Sequence, residues 1–137
     1  DMIKLFEEYN DIASICKKYI IKNYIINPDG SIDIDGYVDI SYEKLTKIPL
    51  KFGKVSGFFD CSNNQLTTLK NAPKEVGRYF SCSGNKLPKL INDNIGYIYD
   101  IIRCQDDYGI WNLDDTLNKY RFNDMMEEIK ELKLKND

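Results

Sequence analysis

At 137 residues the chain is one domain by size, and 42% hydrophobic with 30% charged residues is the composition of a globular protein. The net charge of -3, with lysines interleaved among acids, argues mildly against a nucleic-acid partner, and no apolar run approaches the roughly eighteen residues of a membrane span. The absence of histidine removes the commonest general base and the commonest metal ligand.

In chain order, Ile3, Phe6, Ile12, Ile15, Cys16, Tyr19 and Ile20 recur at helical spacing. They predict two short helices, or one bent helix, from about Met2 to Lys22. Tyr24 to Asn27 and Ser31 to Asp35 then read as strands around a Pro28-Asp29-Gly30 turn.

Beyond this hairpin the sequence repeats itself. Phe59, Cys61, Ser62, Asn64, Leu66 and Leu69 match Phe80, Cys82, Ser83, Asn85, Leu87 and Leu90 at an offset of 21. A further step back reaches Val38, Ile40, Ser41, Leu45 and Ile48, and Ile34, Val55 and Val76 join the same spacing. Phe59-x-Cys61-x-x-Asn64-x-Leu66 follows the leucine-rich-repeat consensus, with Phe and Cys in the first two apolar slots. Alternation points Val38, Ile40, Phe59, Cys61, Phe80 and Cys82 inward. Each Asn is expected to bond backbone groups at a sharp bend. Pro49, Pro73, Gly53 and Gly77 mark an irregular convex side. Glu43 stands where the first Asn would be, as in an edge repeat.

After Leu90 the period fades, because its next step lands on Ile101 and Arg103. Ile95, Ile98, Ile101 and Ile102 suit a helix instead. A last helix is predicted over Asn123 to Lys135. Asn123 is its cap, Asp124, Glu127 and Glu128 lie in its first turn, and Lys130, Lys133 and Lys135 close it. The expected fold is α+β, a short leucine-rich-repeat-type solenoid of about three 21-residue turns with a parallel β ladder. Within one domain, 1–137, residues 1–27 form an N-terminal helical cap, 28–91 the solenoid and 92–137 a C-terminal helical cap.

The phrases I-N-P-D-G-S-I-D-I-D-G from Ile26, L-T-K-I-P-L-K-F-G-K-V-S-G from Leu45, C-S-N-N-Q-L from Cys61 and A-P-K-E-V-G from Ala72 resemble a family of leucine-rich-repeat-like proteins of bacteriophages and other large DNA viruses. The resemblance covers roughly residues 11 to 91. It implies this fold and a viral origin but no activity, since a fold does not set a function.

The chemical motifs are sparse. Ser31, Asp33, Asp35 and Gly36 match the start of a calcium loop, but its closing Glu position holds Tyr42, with Glu43 one place late. The alternation there favours a half-buried strand. Cys16, Cys61, Cys82 and Cys104 form no CxxC pair, so neither zinc nor a disulfide framework is expected. No basic start followed by an apolar run is visible, which favours reduced thiols and a cytoplasmic setting, the host cytosol for a viral protein. No catalytic residue, metal or cofactor is assigned. The outward neighbours of the inward columns are Tyr37, Phe58 and Tyr79, beside Asp39, Asp60 and Ser81. Exposed aromatics are favoured interface anchors, so Tyr37, Asp39, Phe58, Asp60 and Tyr79 are the expected partner-binding residues. The leading function is a non-catalytic protein-binding module, with no nucleic-acid or membrane partner and the oligomeric state open. A structural component of a viral particle or oligomer is the alternative, and a small hydrolase the third reading.

Overall fold

Apolar and polar residues alternate over only a few positions at a time, so the strands they make are short. The computed structural model describes residues 1–136. Its strands are β1 (Tyr24–Ile26), β2 (Ile32–Ile34), β3 (Val38–Asp39), β4 (Phe52–Val55), β5 (Phe59–Asp60), β6 (Glu75–Val76) and β7 (Phe80–Ser81). They form two sheets, one in the order β1-β2-β4-β6 and one in the order β3-β5-β7. The β1–β2 hairpin is antiparallel and every other pairing is parallel. With its helices, the molecule is α+β with small sheets. The parallel register joins residues 21 apart: Val38 to Phe59, Phe59 to Phe80, and Val55 to Val76. Each 21-residue interval therefore contributes one strand to each sheet. The second sheet is a correction to the expected irregular side, since Gly53 lies inside β4. A Cβ at Gly53 would collide with the Asp33 carboxylate, whose Oδ1 accepts the Lys54 N–H at 2.8 Å. The register slips by one residue there, as at a β-bulge.

The inward columns form the core as the alternation requires. Phe52, Phe59, Ile32, Ile40, Ile48, Leu66 and Leu69 are fully buried. Phe59 meets Phe52 edge-on at 4.9 Å and stacks over Phe80 at 5.4 Å. Asn64 closes the bend after β5. Its Oδ1 accepts from the N–H groups of Glu43 and Leu45, and its Nδ2 donates to the carbonyls of Ile40, Cys61 and Ser62. Asn85 repeats this one interval later, donating to the carbonyls of Cys61, Cys82 and Ser83. Tyr42, Asn63 and Gly84, again 21 apart, share the left-handed conformation that turns the chain at these bends.

The flanking helices depart further from expectation. α1 spans Met2–Lys18 as one helix, begun by Asp1, whose carboxylate accepts the Lys4 N–H. It ends before the expected Lys22 because Ile20 turns left-handed and Ile21 N–H returns to the Cys16 carbonyl. Only Ile12 and Cys16 are buried on it; Ile3, Phe6 and Ile20 are exposed. On the other side come α2 (Lys89–Asp93), a 3-10 turn (Ile95–Tyr97), α3 (Ile98–Tyr108) and α4 (Lys119–Asn136). Ile95 sits exposed on the 3-10 turn, so the helix expected from it starts at Ile98, whose stripe with Ile101 and Ile102 is buried. α4 starts earlier than expected. Asn118, not Asn123, supplies the capping oxygen, accepting the Arg121 N–H at 3.1 Å, and Phe122 extends the buried stripe of Met125, Met126 and Ile129. Asp124, Glu127 and Glu128 accordingly lie beyond its first turn. Lys133 pairs with Asp100 at 3.1 Å, tying α4 to α3.

α3 also closes the edge of the three-stranded sheet. The Tyr99 hydroxyl accepts the Phe80 N–H at 3.0 Å and donates to the Arg78 carbonyl at 3.2 Å. Along the ladder the Phe59 N–H donates to the Tyr79 carbonyl, so one phenol stands in for a missing next strand. Among the described residues, every buried side-chain nitrogen and oxygen has a partner, and no helix is long and apolar enough to cross a membrane.

Candidate functional site

The three-stranded sheet positions the expected binding residues. Because Val38, Phe59 and Phe80 point into the core, Tyr37, Phe58 and Tyr79 emerge beside them in one outward column. Their rings stack. Tyr37 to Phe58 and Phe58 to Tyr79 are each 4.9 Å between centroids, with interplanar angles of 18° and 3°. Three parallel rings at this spacing form one continuous aromatic slab. Tyr37 and Tyr79, its ends, are exposed, and Phe58 is half-buried between them. The surface thus offers ring edges along the column and ring faces at its two ends.

The acidic column has a structural task that the sequence reading did not assign to it. Asp39 Oδ1 accepts from both the N–H and the hydroxyl of Ser41, at 3.0 and 2.6 Å, and Asp60 does the same with Ser62 at 2.9 and 2.6 Å. One oxygen of each carboxylate is therefore committed to its own turn, and the other remains for a partner. The same arrangement holds Asp29 to Ser31 and Asp114 to Thr116. The signal was present as Asp-x-Ser/Thr, a spacing that builds Asx turns. The five expected residues are brought onto one face, with the acids fixed in orientation beside the ring slab.

The calcium-like run became a strand. Ile32 and Ile34 are buried, and Asp33 is held by Asn27 and by the Lys54 N–H. Among the described residues, no group of three or more His, Cys, Asp or Glu side chains is arranged to hold a metal ion. A groove of about 700 Å³ crosses the outer face of the four-stranded sheet, between Ile25 and the α3 residues Tyr99 and Arg103. Asp33, Lys54 and Glu75 alternate in sign along its floor, and none of the five expected residues lines it.

Cys61 and Cys82 occupy adjacent inward slots. Burial pushes the Cys61 thiol well above its usual range and the Cys82 thiol up to about 11. The Cys61 thiol donates to the Ser81 carbonyl at 3.3 Å. Both remain protonated at neutral pH, and the thiol is the unreactive form. In native buffer, half-exposed Cys104 is expected to react first with a maleimide, and Cys61 and Cys82 only on the timescale of unfolding. Peptide mapping after timed labelling checks this; early modification of Cys61 would restore it as a candidate nucleophile.

Comparison with family models, with curated proteins and with solved structures finds no match to this chain.

Proposed function

We propose that the chain is a non-catalytic protein-binding module, built as a short leucine-rich-repeat-type solenoid. In this reading it is of viral origin, acts in the host cytosol and engages a protein through Tyr37, Asp39, Phe58, Asp60 and Tyr79. The single observation that carries the reading is the outward slab of three stacked rings, mounted on strands whose backbone is paired on both sides of its central member. A rigid surface loses little freedom on binding, so more of its contact energy is expressed as affinity. The solenoid reading is supported by the 21-residue register and by the Asn64 and Asn85 bonds at equivalent bends. The resemblance to viral leucine-rich-repeat-like proteins supports the origin.

Phe58 is central, so Phe58→Ala should weaken binding by about 2 kcal/mol or more, roughly thirtyfold. Asp39→Asn and Asp60→Asn keep the oxygen that Ser41 and Ser62 bond, and remove only charge. They should slow association and flatten its salt dependence. Lys51→Ala and Lys74→Ala, each losing one exposed ion pair, should do little. The measurement is surface-immobilised binding of a partner recovered from host cells, with circular dichroism confirming the fold of each variant. Normal binding by a folded Phe58→Ala, with loss in an α4 variant, would place the site on the C-terminal helices instead.

A further inference from the structure

The parallel ladder of the three-stranded sheet stops before its backbone donors are used up. In each earlier interval the strand and the bend after it present N–H groups to the next interval. Ile40, Tyr42 and Leu45 N–H donate to the Asp60 carbonyl, the Ser62 carbonyl and Asn64 Oδ1. Cys61, Asn63 and Leu66 N–H donate in the same way to the Ser81 carbonyl, the Ser83 carbonyl and Asn85 Oδ1. The equivalent donors of the last interval belong to Cys82, Gly84 and Leu87. A further step of 21 reaches Ile102, Cys104 and Asp106, which are wound into α3 and offer no strand. Among the described residues, none accepts the N–H of Cys82, Gly84 or Leu87. Tyr99 closes this edge at the Phe80 N–H alone. A backbone donor without an acceptor is costly unless water or a ligand takes it.

Beside these donors lies a groove of about 430 Å³, which runs along Phe80 to Asn85 and has Asn92, Ile95 and Ile98 as its far wall. None of the five strand-face residues lines it. The donors select the occupant. N–H groups two residues apart along a strand match the carbonyls of an extended chain; a helix has spent its carbonyls internally. The earlier intervals show the full acceptor set: carbonyls at residues 60 and 62 or 81 and 83, then an Asn at 64 or 85. Between the two carbonyls stands a small inward residue, Cys61 or Cys82. A second copy matches less well. Its free carbonyl edge is β3, where Glu43 replaces the Asn, and in register its Tyr37 carbonyl meets a Phe80 N–H that Tyr99 already holds. We infer that the groove is a strand-addition site for an extended segment of a partner protein. The segment's first and third carbonyls accept the Cys82 and Gly84 N–H. A short apolar side chain at its second position lies over Cys82, against Ile95 and Ile98, and an Asn at its fifth accepts the Leu87 N–H.

The probe is a synthetic fluorescent peptide, Thr-Ser-Val-Ser-Gly-Asn-Thr, titrated against the full chain. Amide hydrogen exchange followed by NMR should show the Cys82, Gly84 and Leu87 N–H exchanging fast in the free protein and about tenfold or more slowly at saturation. In anisotropy titrations, replacing the peptide's Asn by alanine should weaken binding about tenfold. A D-valine in place of the valine turns that side chain out of the groove and should remove binding. Ile95 is 52% exposed, so Ile95→Gln should keep the circular dichroism spectrum while weakening the peptide about fivefold or more. Exchange that the peptide does not slow, equal binding of the three peptides, or binding unchanged by Ile95→Gln overturns the proposal. Slow exchange of the three amides before any peptide is added overturns it too, because the donors are then already taken. An oligomer in sedimentation that protects the same amides overturns it in favour of a second copy.

Discussion

Replacing Phe59 by alanine is expected to lower stability by about 3–5 kcal/mol. The ring is fully buried, meets Phe52 edge-on, and stacks on Phe80 across the parallel register. Its removal deletes apolar burial and leaves a gap that the backbone cannot close, because β5 is held on both sides by β3 and β7. A domain of this size has only about 5–15 kcal/mol in all, so the variant should unfold at much lower denaturant. Phe80→Ala should sit at the smaller end of the range, because Phe80 stacks on a ring on one side only and keeps 8% exposure. Guanidinium titration with an unchanged slope is the measurement. A wild-type midpoint for Phe59→Ala would mean that the inward and outward columns are reversed.

Asn64→Ala should cost about 2–4 kcal/mol although it removes little apolar area. Five backbone groups from two neighbouring strand intervals converge on this one buried amide. No other residue type offers an acceptor for the N–H groups of Glu43 and Leu45 and a donor for three carbonyls in the same place. Asn64→Asp separates the two halves of that role. It keeps the acceptor and turns a carboxylate toward the carbonyls of Ile40, Cys61 and Ser62, which raises its folded-state pKa above the unfolded value. Its stability is then greatest below the unfolded pKa near 4 and falls as pH rises through the folded value. Relative to the parent chain, this variant should gain stability between pH 7 and pH 4. A flat difference across that range would show that the side chain does not face those carbonyls. Asn85→Ala should cost less, because Asn85 is partly exposed.

The strand face was legible because its information is local. Alternation about Phe59 and Cys61 sets which side chains point out, and the offset of 21 stacks Tyr37, Phe58 and Tyr79 in one column. The Asn role followed equally from position, since Asn64 and Asn85 stand at equivalent bends. The second sheet was missed because Gly53 and Gly77 read as loop residues. They are there for close approach: a Cβ at Gly77 would collide with the Ser56 carbonyl. The α4 boundary was missed because Asn118 and Asn123 are both plausible caps, and only the burial of Phe122 chooses between them.

The period, the inward and outward columns and the polar residue at each bend depend on spacing along a few consecutive residues, and so can be read from the chain. The remaining features come from the packing of segments distant in the chain. The outward rings stack instead of standing free, because parallel pairing brings them to 4.9 Å. Tyr99 closes the last strand edge because α3 packs where its hydroxyl reaches both Phe80 and Arg78. The α1 stripe is buried at Ile12 and Cys16 but exposed at Met2, Leu5, Phe6 and Tyr9. Helical periodicity tells which residues share a face, and only the packing of distant segments decides how much of that face is covered.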